Sequence, residues 1–259
     1  MNAISNRDGI ERRIEADLQA NFREFPYSAE QSLVLGAHLL DSEGHSRSLL
    51  GQVTARGEDG LTFMTLRFGC GLDEASSDAL VRFDRSLTAI GRPQMVNPGV
   101  RFHLWVYERR PDVRAIVHTH PPHCVALAMT HMPLRPVTMD AAMLYDDVAY
   151  LDNWPGAPEG DEEGQLISRA LGDKSSILLS SHGLLATGRS VQEAMYRAVF
   201  LERAAAAQLL AAAAGTLRDV GTEAALSGRR AMTRASYVHA TMSYLYRKVA
   251  RTGKYPAFA

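Results

Sequence analysis

The chain has 259 residues, 46% hydrophobic and 22% charged, with 28 basic and 29 acidic side chains for a formal net charge of −1. That length allows a substantial core in one large domain or two small ones. The balanced charge excludes a basic field that would gather nucleic acid or an anionic membrane.

Residues 10–22 set apolar positions at helical spacing among charges, and a second amphipathic helix is expected over 29–40. Residues 44–48 read as a polar loop. The short runs 50–55 and 61–66, rich in Val, Thr and Phe, flank a charged turn ending in Asp59-Gly60 and predict a β-hairpin. Residues 79–84 and 87–90 add candidate strands. The pattern turns helical over 98–108 and stops at Pro111-Asp112. Residues 113–118 are short, apolar and β-branched, which predicts a buried strand ended by Pro121-Pro122, with a helix over 123–129. Residues 175–181 predict a second buried strand, closed by a turn at Gly183 through positive φ. Trp154-Pro155-Gly156 reads as a turn. Ser190 caps a long alanine-rich helix to about 214, with Glu193 completing a capping box, and helices over 222–229 and 234–250 close the chain. Helices at both ends around strands predict an α/β fold of three layers, α/β/α, in a single domain over 1–259. Its core is expected over about 30–215, with C-terminal helices in 216–259.

The sharpest motif is Val117-His118-Thr119-His120-Pro121. Side chains two apart on a strand share a face, so His118 and His120 present paired imidazoles at the strand end. The alternative is one histidine in the core and one in solvent. A second strand-end histidine, His182 in Ser180-Ser181-His182-Gly183, supplies a third candidate ligand. Three neutral imidazoles around one divalent ion leave positions open for substrate or water, the arrangement of a catalytic site. Zn, Mn, Co and Fe all suit such a set.

Phe102-His103, Tyr107, Arg110-Pro111-Asp112-Val113, His118-Thr119-His120-Pro121 and Ser181-His182-Gly183-Leu184-Leu185 together resemble the class II aldolase/adducin family over roughly residues 30–215. The resemblance implies a central, mostly antiparallel sheet flanked by helices and a homo-oligomer, often a tetramer. It also implies the three histidines as metal ligands. In the family's sugar-phosphate aldolases the metal is a Lewis acid that lets carbon–carbon cleavage pass through a stabilised enolate.

The departures narrow the substrate. Gly99 in Asn97-Pro98-Gly99 stands where those aldolases carry a catalytic glutamate, and glycine moves no proton. Gly51-Gln52 and Leu66-Arg67-Phe68-Gly69 replace their phosphate-binding segments and lack the hydroxyls, which points away from a sugar phosphate. Arg67 suits bidentate carboxylate binding. Asp140 lies where some relatives place a tyrosine that reaches a neighbouring subunit, and is a candidate acid/base. His123 and Tyr145, with Asp146-Asp147, are further candidates to line the site. His103 reads as packing behind the ligands, and Glu202 as either a buried orienting group or a solvated side chain. Cys70 and Cys124 have no activating partner in sequence.

The expected activity is a metal-dependent lyase, decarboxylating or cleaving in aldol fashion a non-phosphorylated hydroxy-aromatic or keto carboxylate. A family relative decarboxylates an aromatic hydroxy-dicarboxylate, a step that needs no glutamate to deprotonate carbon. The competing readings are a non-haem Fe(II) oxygenase of aromatic 2-oxo or 2-hydroxy acids and a non-catalytic adducin-like scaffold. The charged, polar residues 1–17 are not read as a secretory signal, and no apolar run has membrane-spanning length. Two cysteines without metal spacing indicate a reducing compartment, so the expected location is cytoplasmic, with no nucleic-acid or membrane partner.

Overall fold

The computed structural model describes residues 3–46, 48–153 and 161–252. Helices α1 (Ala3–Phe22) and α2 (Ala29–Ser42) come first. Strands β1 (Gln52–Arg56), β2 (Phe63–Leu66), β3 (Leu80–Phe83) and β4 (Ala89–Ile90) follow. Helix α3 (Arg101–Arg109) leads into β5 (Ala115–Thr119) and α4 (Pro122–Met129). Next come the one-turn α5 (Met139–Ala142), β6 (Val148–Leu151) and α6 (Glu162–Leu171). Strands β7 (Ser176–Leu179) and β8 (Gly183–Gly188) form a hairpin before α7 (Val191–Ala214), α8 (Thr222–Met232) and α9 (Ala235–Arg251).

The eight strands form one sheet in the order β4-β3-β2-β1-β5-β8-β7-β6. Every pairing is antiparallel except β6 with β7. Strand residues alternate between two cores. Val53, Ala55, Ala115, Val117, Leu184 and Ala186 join the side chains of α2, α4, α7 and α9 in one. Phe63, Ile116, Ile177 and Leu185 join those of α3 and α6 in the other. Because successive side chains point to opposite faces, central strands covered on both read as unbroken apolar runs. The fold is therefore an α/β/α sandwich around a mixed sheet, and its two central strands, β5 and β8, lie side by side.

Several local expectations need correction. The first helix begins at Ala3, well before residue 10. Strand β4 is only two residues long, because Leu87 takes φ 61° in the turn that Asp84 caps through the backbone N–H groups of Ser86 and Thr88. The box at α7 is half formed. Ser190 Oγ accepts from the Glu193 N–H, whereas the Glu193 carboxylate reaches the N–H of Arg189, one residue upstream of the cap. Gly183 is not needed for positive φ. That conformation falls on Ser181 at 55°, and Gly183 instead opens β8. A Cβ there would sit 2.4 Å from the Thr119 carbonyl oxygen and 2.7 Å from the His120 ring, so the glycine permits strand approach. Strands β6 and β8 and helices α5 and α6 were not expected from sequence. The predicted turn at Trp154-Pro155-Gly156 lies outside the described residues.

Candidate metal centre

His118 lies on the α3 face of β5, directly across from Gln52 on β1 and Leu185 on β8. The Phe102 ring packs against its ring at 4.9 Å and 90°. Its Nδ1 lies 2.8 Å from the Leu184 carbonyl oxygen, an acceptor only, so Nδ1 carries the proton and donates. That contact leaves the Nε2 lone pair available and fixes the ring plane, as a backbone carbonyl behind a metal-binding histidine does. His120, just past the strand end, sets its own Nε2 3.0 Å from that of His118. His182 comes from the β7–β8 turn, whose shape is held by its N–H donating to the Leu179 carbonyl and by Ser181 in the left-handed region.

The three rings approach one another at centroid distances of 4.5–4.9 Å, and one ligand atom from each lies within 4.8 Å of the others. Nitrogens on a tetrahedral zinc at about 2.1 Å are about 3.4 Å apart, so the cluster has the dimensions of a metal site. Electrostatics agree. Burial, then the neighbouring His182 and His120, holds His118 well below the ordinary histidine value. Burial lowers His120, and burial with His120 lowers His182 to about 4. All three are therefore neutral at neutral pH, the form that binds metal. Among the described residues this is the only such convergence of three His, Cys, Asp or Glu ligands.

Behind the cluster His103, fully buried on α3, bonds through Nδ1 to Thr54 Oγ1 at 2.9 Å. Thr54 Oγ1 in turn lies 2.8 Å from the Tyr107 hydroxyl, which donates to the Thr54 carbonyl. Burial drops His103 to about 3 and raises Tyr107. His103 thus braces the α3–β1 seam as a neutral ring.

The remaining candidates fall in different places. Arg67 is exposed and bridges to Val96. The β1–β2 register ends at Thr54 with Thr65, and Arg67 lies just past the end of β2, its backbone N–H donating to the Ala79 carbonyl. His123 belongs to another group. The Glu202 carboxylate, reaching over from α7, accepts from His123 Nδ1 at 2.6 Å and from the backbone N–H groups of His123 and Cys124 at 3.1 and 2.8 Å. Glu202 also acts electrostatically on His45, whose Nδ1 meets Thr119 Oγ1 at 2.8 Å. Thr119 shares the strand face of Val117, opposite that of His118. His123 is therefore tied to the α7 side of the sheet and not to the histidine cluster.

Asp140, half-buried in the first turn of α5, acts on Arg203 and Tyr196. Tyr145 does not face the cluster within this chain: its hydroxyl donates to Thr222 at the start of α8. The acidic pair beside it divides. Asp146 pairs with Lys174 at the surface, whereas Asp147 is buried, accepts from the Ser175 N–H and forms an ion pair with Arg229. Burial raises both cysteine thiols, so neither is an activated nucleophile. The residue that sequence reasoning left without a structural role is Gln52, now directly across from a candidate ligand. Its place was visible only once β1 and β5 were known to pair.

The model of the class II aldolase and adducin N-terminal domain matches residues 31–209. Mouse α-adducin is 35% identical over 167 residues, 61% of this chain and 22% of that protein. The decarboxylase NovR of Streptomyces niveus is 30% identical over 148 residues, 57% of this chain and 55% of that one. The chain thus spans little more than half of NovR and about a fifth of α-adducin. Among solved structures, the L-fuculose 1-phosphate aldolase of Glaciozyma antarctica PI12 superposes with a TM-score of 0.79 at 24% identity, covering 88% of this chain and 92% of that chain. No helix among the described residues is long and apolar enough to cross a membrane. With the family model covering well over half of its length, the chain belongs to the class II aldolase and adducin N-terminal domain family.

Proposed function

We propose that this protein is a metal-dependent lyase that breaks a carbon–carbon bond in a non-phosphorylated hydroxy-aromatic or keto carboxylate. The observation that carries the reading is the convergence of three neutral imidazoles from β5 and the β7–β8 turn within 4.8 Å. His118, His120 and His182 would hold one divalent ion, and their donor set suits Zn, Mn, Co or Fe. When bound, the ion supplies Lewis acidity beside the bond that breaks.

The chain's own residues do the rest. The Leu184 carbonyl locks the His118 tautomer. Phe102 and the buried His103 seam keep water from the back of the site. Arg67, exposed just past the end of β2, is the proposed anchor for the substrate carboxylate, since a guanidinium pairs with carboxylate in bidentate fashion. Residues 66–69 offer no side-chain hydroxyl to hold a phosphate. Gly99 offers no proton-transfer group, and decarboxylation asks less of one than aldol cleavage does. The relation to NovR supports a decarboxylase, and that to α-adducin supports a scaffold. The intact triad favours catalysis.

The test is elemental analysis of purified protein. Wild type should carry about one equivalent of a divalent metal, and His118→Ala combined with His120→Ala should reduce it to background. An unchanged metal content in the double variant refutes the reading. With metal-loaded protein, CO₂ or aldehyde release from a panel of aromatic 2-hydroxy and 2-oxo acids identifies the lyase. Oxygen consumption on the same panel would assign an oxygenase instead.

A further inference from the structure

Helix α3 buries Phe102 against His118, while Trp105, three residues on, stays half-buried at the outer seam between α3 and α6. Two contacts fix the indole. Its Nε1 donates to Asp161 Oδ1 at 3.1 Å, and Gly164 of α6 lies so close that an added Cβ would collide with its Cδ1 and Cγ. The ring lines two adjoining grooves. In one of them every cation has an acid, since Arg101 pairs with Asp161 at 2.7 Å and Arg85 with Glu108. The other is a cavity of about 280 Å³ lined by Trp105, Glu108, Arg109, Gln165, Ser168 and Arg169. Its one acid, Glu108, is already taken by Arg85. Arg109 and Arg169 are exposed, and neither makes a hydrogen bond or ion pair with a described residue. They occupy the last turns of α3 and α6, where the helix dipole favours a cation. The second groove therefore joins a pinned aromatic ring to two uncompensated guanidinium groups.

We propose that this groove is a second ligand site, distinct from the metal centre, that takes a small aromatic carboxylate: the ring stacks on Trp105 and the carboxylate pairs with Arg109 and Arg169. The indole supplies a flat apolar surface at little entropic cost, because its hydrogen bond to Asp161 and its packing on Gly164 already hold it in place. Guanidinium groups suit a planar carboxylate, and two of them outweigh the single acid of the lining, which Arg85 neutralises. A cavity of about 280 Å³ has room for one ring with its acid group. The site needs neither a metal nor the lyase reading, since none of its residues belongs to the histidine cluster.

The chain has two tryptophans, so Trp154→Phe leaves Trp105 as the sole indole reporter. Benzoate should quench the fluorescence of that protein saturably. Cyclohexanecarboxylate, an acid without the flat ring, and benzamide, a ring without the charge, should each bind about three- to tenfold more weakly. In the same background Arg109→Gln combined with Arg169→Gln should weaken benzoate about three- to tenfold, and molar salt should act in the same direction. Glutamine keeps the helix propensity of arginine, and either single substitution serves if the double variant does not fold. His118→Ala combined with His120→Ala should leave benzoate affinity unchanged. Loss of binding in that variant would place benzoate at the metal centre and overturn the proposal. Equal affinity for the three ligands, quenching that does not saturate, or wild-type affinity in the arginine variants would overturn it as well.

Discussion

A buried imidazole resists protonation, and among the described residues three such rings lie outside the triad: His38, His45 and His103. Burial lowers His45 to about 4, against the partial opposition of Glu202 and Glu43, and His103 to about 3. The unfolded chain protonates both near 6.5. As pH falls below that value the unfolded state takes up protons that the folded state refuses, so stability declines toward the folded values and is unaffected above about 6.5. The metal-free protein should lose roughly 2–3 kcal/mol per ring between pH 7 and 4.5. Urea midpoints across that range measure it, and His45→Gln should flatten the profile. A variant that parallels wild type would show that His45 does not titrate with folding. Glycines show the same dependence on surroundings. A Cβ at Gly36 would meet the Met195 side chain from Cγ to Cε, whereas one at Gly183 would meet the Thr119 backbone.

At the scale of elements, α4 shows how the fold holds the segment after β5. Pro121 occupies its N-cap and offers no side-chain acceptor, leaving the first N–H groups of the helix open. Glu202, 79 residues from His123 in sequence, supplies the cap from α7 with both carboxylate oxygens. Its negative charge also suits a helix N-terminus. Glu202→Ala should therefore cost about 2–3 kcal/mol in urea unfolding, with Glu202→Gln intermediate because one acceptor remains. Equal stability of the alanine variant and wild type would mean water caps α4 as well. The hairpin turn after β7 is a second such case. Its left-handed Ser181 swings His182 toward a strand more than sixty residues earlier in the chain.

On the scale of the molecule, the sheet leaves α5 and α8 beside a surface groove. Met139, Val220 and Gly228 line it together with Glu11 of α1, and Met139 is 55% exposed. Exposed apolar positions around such a groove fit a surface used between copies, in keeping with the tetramer that the family resemblance implies. Light scattering coupled to gel filtration should give about four times the 28.4 kDa chain mass, and Met139→Glu should shift it downward. A monomeric wild type would end that expectation.

Much of this was legible along the chain. The apolar, β-branched run of β5 and the shared face of His118 and His120 follow from strand period, and α7 follows from its Ser190 cap and alanine-rich run. Other elements carried no local signal. Strand β8 is bounded by glycines and buried on both faces, so it shows no alternation. Strand β6 is a four-residue edge, and α5 is a single turn. Sequence determined which residues are able to bind metal, because ligand chemistry belongs to the side chain. Only tertiary structure decided that β5 pairs with β8 and β1. That pairing brings His182 to the histidine pair and Gln52 beside it, and it leaves His123 with Glu202 on the other face. Long-range strand order is set by burial of two cores at once, a property of the assembled sheet that no short stretch of sequence contains.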